Sequence, residues 1–269
     1  MMRPKAKYSF LILLIIILLG IIGPWISPHD PTEANYDAFL QAPSTEYWLG
    51  TDSIGRDQLS RLLYGTRVSL TGALIAVSIT VVVGTVIGVS SAFIGGVFDN
   101  ILMRIMDVLL ALPEIVLALA IVAILGPSQV NAMIAIGIAF IPYFSRLTRG
   151  ATLAIKSSGY IEVSRSIGSS NWWITIYQLI PNIINILIVY TTLLLGMAIL
   201  AASALGFIGL GAQPPTPEWG TMLGEGKDYI ISAWWLTTFP GLAITIVVFT
   251  INMLGDALQD IFDPRSLNK

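Results

Sequence analysis

Apolar runs of about 20 residues recur along the chain, each long enough to cross the hydrocarbon core of a bilayer as a helix. They fall at 8–26, 68–94, 104–125, 130–145, 184–205 and 234–255, which predicts six transmembrane helices. Composition excludes the soluble alternative: of 269 residues 55% are hydrophobic and only 11% charged, with a mean hydropathy of +0.80. A water-soluble domain of this size needs far more charge to cover its surface. The net charge of -2 and pI near 5.3 offer no basic patch, so no nucleic-acid partner is expected. The absence of cysteine excludes disulfides, thiolate metal sites and thiol catalysis, and a single histidine, His29, excludes imidazole-rich metal sites and proton relays.

The first run is preceded by Arg3, Lys5 and Lys7, as a secretory signal would be. Its exit, GPWISPH, has no small-x-small cleavage site, and its length suits a span, so it reads as a retained first helix. Polar stretches at 27–67, 146–178 and 206–233 separate the spans. Basic residues set the orientation. With the N-terminus in the cytoplasm, the inner side holds Arg3, Lys5, Lys7, Arg104, Arg146, Arg149, Lys156, Arg165, Arg265 and Lys269. The outer side then holds only Arg56, Arg61, Arg67 and Lys227. Trp25, Trp48, Trp219, Trp234 and Trp235 fall at outer-interface or outer-loop positions. Both termini are then cytoplasmic, and 146–178 is the one large cytoplasmic loop.

Within that loop, Ile155, Tyr160, Ile161 and Ile167 mix with Lys156, Glu162 and Arg165 as in a short amphipathic helix beside the membrane. Glu162 and Arg165, three apart, can face each other. Gly168 ends this helix, since glycine accepts the left-handed geometry of a C-cap. Asn171 can cap a following helix with Trp172, Trp173, Ile176 and Leu179 on its apolar side, and Pro181 stops it.

The stretch GYIEVSRSIGSSNWWITIYQLIPN (159–182) resembles the EAA loop of ABC importer permeases. That pattern has a Glu, two small residues, a Gly six positions after the Glu and a Leu/Ile-Pro further on; Glu162, Gly168 and Ile180-Pro181 fall on it. Val163-Ser164 stands where the family usually has two alanines. Three further blocks resemble the dipeptide, oligopeptide and nickel permeases: LGTDSIGRDQLSRLLYGTRVSL (49–70), SALGFIGLGAQPPTPEWGTML (203–223) and GDALQDIFDPR (255–265). They run in the family's order over most of the chain, and the GRD block with a short N-terminus is similar to the "C"-type partner of two non-identical permeases.

The resemblance implies an all-α transmembrane, six-helix type I ABC importer permease fold with a cytoplasmic coupling helix. Residues 1–67 would form the N-terminal helix and extracytoplasmic segment, and 68–269 the core, with the coupling loop at 146–181. It implies a bacterial cytoplasmic (inner) membrane protein, embedded in the lipid bilayer. Its partners would be a second homologous permease subunit, two ABC ATPase subunits and an extracytoplasmic solute-binding protein. Tyr160, Glu162, Ser164, Arg165 and Gly168 are then the ATPase-coupling residues. This chain would bind no cofactor of its own, ATP and Mg2+ being used by the ATPase subunits. Cargo would be di- or oligopeptides, or nickel and other metal chelates.

Outside the loop, Asp52, Arg56, Asp57, Arg61 and Arg67 carry both signs of charge beside the bilayer edge. They form either an ion-pair network bracing the outer segment or, at Arg56 and Asp57, a contact for an incoming binding protein. Gly209 and Gly211, with Gly206 and the Pro214-Pro215-Thr216-Pro217 run, mark a re-entrant or capping segment near the outer mouth and are candidates for a gate; a plain connecting loop is the alternative. Glu218-Trp219 would anchor it at the interface. Glu114, deep in the third span, either lines the pathway or accepts hydrogen bonds inside the bundle. Asp107, nearer the inner end, snorkels or pairs with Arg104. Gly84 and Gly88 fit close helix packing.

A self-sufficient secondary transporter is the rival reading, and it calls for internal repeats and several deep charges, of which only Glu114 is present. An enzyme is not supported. HExxH and GxSxG are missing, and Gly224-Glu225-Gly226-Lys227 lacks P-loop spacing.

Overall fold

The computed structural model describes residues 4–262, so Arg3, Arg265, Lys269 and the end of the 255–265 block lie outside the described residues, as does the side chain of Lys5. Among the described residues the regular elements are all helices, with one isolated bridge between Thr51 and Asp57. Helices α1 (Pro4–Ile26), α2 (Gln58–Ile94), α5 (Gln129–Lys156) and α10 (Trp235–Phe262) are each long and apolar enough to cross a membrane. So is the continuous helix of α7 (Asn171–Trp173), a π-helical segment (Ile174–Leu179) and α8 (Ile180–Phe207). The sixth crossing is a bent pair, α3 (Gly96–Leu110) and α4 (Glu114–Leu125), which meet at 90°. The short α6 (Gly159–Ser166) and α9 (Trp219–Gly226) lie between crossings.

The third span is therefore not one straight helix over 104–125. Pro113 fixes its own φ and pushes Leu112 out of the helical region, which breaks the rod. α3 starts earlier, at Gly96, where Gly95 and Gly96 turn the chain with φ of 72° and 62°. Two other helices overrun their apolar windows. α2 begins at Gln58 rather than at 68, capped by Asp57, whose carboxylate accepts from Ser60 N. Its 37 residues span about 55 Å, well beyond a bilayer core of about 30 Å. α5 continues to Lys156 instead of ending near 145, so the first third of the expected loop is helix.

α5 is the central helix. Of its apolar window 61% is buried, against 22% for α1 and 28% for α10, whose bare flanks carry Phe10, Leu11, Leu242, Ile246 and Phe249 toward lipid. Small residues let α2 and α5 approach closely. A Cβ at Gly88 would sit 2.5 Å from Ser145 O and 2.7 Å from Thr148 Cβ, and one at Gly137 2.9 Å from Ala76 O. Thr80 Oγ1 bridges the pair by donating to Gly137 O at 2.8 Å. Around this seam pack Ala76, Ala132, Ile136, Phe140, Phe144, Ala198, Ile199 and Ile251, all buried.

Candidate functional site

The loop after α5, taken from the sequence as the inner one, hangs from that helix as two short turns of helix. α6 buries Ile161 and Ser164 and turns Tyr160, Glu162, Val163 and Arg165 outward. Ser164 Oγ donates to Tyr160 O at 3.0 Å and accepts from Gln178 Nε2 at 2.7 Å. Of the residues assigned to ATPase coupling, Ser164 is thus the one turned inward, where it pins α6 to the π-helical segment. Gly168 has φ 85°, and Ser169 N donates to Ser164 O at 3.0 Å, closing a Schellman-type C-cap. The next helix is capped by Ser170, whose Oγ accepts from Trp173 N at 3.2 Å; Asn171 is the first helical residue, not the cap. Pro181 does not stop this helix. The π segment widens the backbone, Ile180 N bonding back to Thr175 O, and proline's missing N–H falls in the first turn of α8, where the ladder is already shifted.

Glu162 and Arg165 form no described ion pair. The Arg165 guanidinium lies over the Phe93 ring at 5.4 Å, beside Lys156 Nζ at 5.7 Å from the same ring. Lys156 also donates to Ala92 O and Phe93 O at 2.7 and 2.9 Å, closing the C-terminal end of α2. Glu162 stays exposed, as do Val163, Ile167, Trp172 and Tyr177, the last three 77%, 74% and 66% accessible. Two clamps steady the loop's base. Arg149 grips Asp99 with bonds of 2.7 and 2.6 Å, and Ser91 Oγ donates to the same carboxylate. Arg146 meets Asp107 at 2.8 Å, so Asp107 pairs across to α5 rather than with Arg104.

The other end of the bundle, the outer one in the sequence reading, carries the opposite design. Asp52 accepts from Ile54 N and Arg56 N at 3.0 and 2.9 Å and from Arg56 Nε at 2.6 Å. Glu225 Oε2 accepts from both Arg56 (3.0 Å) and Arg61 (2.6 Å), and Arg61 Nε lies 3.6 Å from Asp52. Both arginines are buried. Bracing therefore holds at Arg56 and Arg61, but its membership differs from the sequence expectation. Asp57 is a helix cap with His29 Nδ1 3.6 Å away, Arg67 stands apart, and Glu225 supplies the missing anion. Glu218 and Trp219 are buried rather than interfacial. Glu218 caps α9 by accepting from Thr221 N at 2.9 Å, Ser69 Oγ donates to its other oxygen at 3.0 Å, and Trp219 Nε1 donates to Leu62 O at 3.2 Å. Burial pushes the Glu218 carboxyl above its ordinary pKa, against the pull of these donors. Trp235 is likewise buried, donating from Nε1 to Thr51 O at 3.0 Å.

Of the pathway candidates, Glu114 sits apart from both, whereas Gly211 packs beside Gly206 and Thr221 next to the Glu218 cap. Glu114 opens α4 at the bend, exposed, beside a shallow recess lined by Ala118, Phe140, Ala201 and Leu205. Gly209, φ 83°, ends α8 with Leu210 N donating to Leu205 O at 2.9 Å; Gly211 abuts Gly206, where a Cβ would lie 2.8 Å from its Cα.

The fold is thus a bundle of long apolar helices with one bent pair, a braced end and an exposed loop at the other end. Residues 84–268 match the family model of the binding-protein-dependent transport system inner membrane component, and 3–43 match the N-terminal TM domain of oligopeptide transport permease C. The chain belongs to this family: it is a membrane permease subunit of an ABC importer, non-catalytic, with ATP hydrolysis carried out by separate subunits.

It is 44% identical to a di/tripeptide transport system permease of Pseudomonas aeruginosa over 97% of this chain and 88% of that one. It is 41% identical to a probable D,D-dipeptide permease of Escherichia coli K12 over 99% and 89%, and 41% to a glutathione permease of Pectobacterium atrosepticum over 95% and 85%. Among solved structures it is similar to the inward-facing MetNI methionine ABC transporter, with a TM-score of 0.62 at 19% identity over 76% of this chain and 97% of that one, which shows the type I importer fold.

Proposed function

We propose that this chain forms one half of a translocation pathway for small peptides in the bacterial cytoplasmic membrane, with both termini cytoplasmic. A second homologous permease supplies the other half, and two ATPase subunits, which bind ATP and Mg2+, dock on the inner loops. An extracytoplasmic binding protein delivers the solute. The observation that carries the docking role is the loop face itself: Tyr160, Glu162, Val163 and Ile167 of one short helix, with Trp172 beyond the Gly168 turn, stand exposed on a clamped base. Exposed aromatic and branched side chains in one patch mark an interaction surface. Gly168 permits the sharp exit, and Arg165 over Phe93 sets the angle at which α6 leaves the membrane. Glu114, Gly209 and Gly211 are assigned to the pathway and its outer gate. Peptide rather than nickel-chelate cargo is supported by the peptide and glutathione permeases among the relatives.

The test is affinity purification from native membranes in mild detergent, comparing wild type with Glu162→Arg/Gly168→Trp. A second permease and an ATPase should accompany the wild type, and the ATPase alone should be lost from the variant. A wild-type chain that emerges alone and stable would overturn the reading. Uptake of a labelled dipeptide, undiminished by excess nickel–histidine, checks the cargo.

A further inference from the structure

The segment between α1 and α2 is folded into a rigid strap. Asn35 N donates to Ile54 O and Leu40 N to Asp52 O, both at 3.1 Å, and Thr51 N donates to Gln41 O at 3.0 Å. Asn35 Nδ2 donates to Tyr47 OH at 3.2 Å, and the His29 ring stacks on Tyr47 at 5.1 Å. Gly55, φ 78°, lies so close to Asn35 O that no Cβ fits there. The framework is closed, yet its outward face is not. Tyr36, Phe39 and Trp48 are 75%, 55% and 67% exposed. Asp30, Glu33, Asp37 and Glu46 of the same segment are exposed too.

No Lys or Arg occurs between residues 27 and 49. Of the neighbouring cations, Arg56 and Arg61 are held by Asp52 and Glu225, Lys227 lies over the Phe207 ring at 5.7 Å, and Arg67 lines a separate recess with Trp25, Leu70 and Thr71 on the α1 side of α2. The Thr32 hydroxyl and amide hold the Asp30 carboxyl below its ordinary pKa, so its charge persists at neutral and mildly acid pH. Next to Asp30 a recess of about 570 Å³ opens between the strap and the loop after α8, lined by His29, Thr32, Tyr64, Thr216 and Pro217.

Two occupants compete for such a face. Lipid headgroups take aromatic side chains, but aromatic belts work alongside Lys and Arg, and anionic phosphates are repelled by a run of carboxylates. A protein face suits both features: rigid exposed aromatics anchor interfaces at low ordering cost, and uncompensated charge selects the opposite sign and speeds encounter. We infer that the outward face of the 28–48 strap is the docking surface for a basic face of the solute-binding protein, with a Lys or Arg of that protein entering the recess beside Asp30. The inference rests on the importer reading above and names where on this chain the delivery partner lands.

The experiment uses the assembled transporter in lipid nanodiscs and its cognate solute-binding protein, loaded with dialanine. Affinity is read by surface-immobilised binding, and ATPase stimulation in parallel. Glu33→Lys/Asp37→Lys/Glu46→Lys should weaken binding about 10- to 100-fold, mostly through the association rate, and flatten its salt dependence. Basal ATPase should stay unchanged. The shape-preserving Glu33→Gln/Asp37→Asn/Glu46→Gln variant should fall between, and it decides the matter on the same readout if the reversal variant assembles poorly. Stimulated wild type together with variants that bind within about twofold of it overturns the docking surface alone. A wild type that the binding protein neither binds nor stimulates overturns the importer reading and the surface with it.

Discussion

At the outer end of the bundle Glu225 answers Arg56 and Arg61, Asp52 answers both in turn, and Glu218 is met by Ser69, Thr221 and the start of α9. At the inner end the clamps Asp99–Arg149 and Asp107–Arg146 stop at the loop's base, and beyond them Glu162, Ile167 and Trp172 stand exposed. Both regions mix charges, aromatics and glycines. They differ in whether the chain supplies its own partners. A buried ion pair left without one member costs several kcal/mol, so a self-completed cluster must stay intact for the fold. An exposed loop with open positions costs little and leaves its binding energy for another subunit. One end closes its polar groups on itself, and the loop at the other leaves its side chains open.

The sharpest way to break this contrast is Arg61→Ala. It removes the shorter of the two arginine bonds to Glu225 and the more distant of the two cations beside Asp52, Arg56 staying with both carboxylates, and should cost about 1.5–3 kcal/mol. Thermal unfolding of the detergent-purified subunit and its membrane yield both read this. The matched inner change, Glu162→Ala, should move the same transition by under about 0.5 kcal/mol while reducing ATPase coupling. Equal losses from the two would erase the distinction.

Glycines give the second comparison. A Cβ at Gly220 would meet the Ser203 backbone, 2.5 Å from its Cα, so Gly220→Ala overpacks the α8–α9 seam and should cost about 1–3 kcal/mol. Gly168 has nothing within 4 Å, so Gly168→Ala pays only the left-handed backbone, about 1–2 kcal/mol. A third, smaller effect separates by pH. Burial raises the Glu218 pKa, so the stability linked to its proton is complete below the unfolded-state carboxyl pKa. It is lost as pH rises through the raised folded-state value. Glu218→Gln keeps an acceptor and drops that dependence. Its melting temperature relative to wild type should therefore climb as pH rises above the ordinary carboxyl range, and a difference flat in pH would sink the assignment.

What the sequence disclosed follows the range over which each interaction acts. Spans came from apolar runs, and the Gly168 cap and the Gly84–Gly88 packing seam from local chemistry, all set within a few residues. Glu225 did not, because its partners lie 169 and 164 residues away and its own neighbours, Gly224 and Gly226, were informative only as a failed P-loop. Trp219 looked interfacial because a lone tryptophan near a span end usually is, yet α9 tucks back against α2 and α8 and buries it. Helix ends were underestimated for one reason: at 58–67 and 146–156 polar residues continue a helix past its apolar window, held by Asp57 at one end and by the Asp99 and Asp107 clamps at the other. Pro181 misled because a proline stop assumes an α-helical ladder, which the π segment has already shifted.

The smallest effect bears on how the inner loop is aimed. Arg165 is both a coupling residue by resemblance and the cation over Phe93, and those roles separate by mutation. An exposed cation–π contact is worth about 0.5–1 kcal/mol, so Arg165→Gln and Phe93→Leu should each lower stability by no more than that. If the contact serves to hold α6 at its exit angle, both variants reduce solute-stimulated ATPase by the same factor, because each frees the helix. If Arg165 instead touches the ATPase directly, Arg165→Gln alone reduces it. The clamped base, the Ser164–Gln178 bond and the paired approach of Lys156 and Arg165 to one ring favour aiming, and equal losses are the expected result.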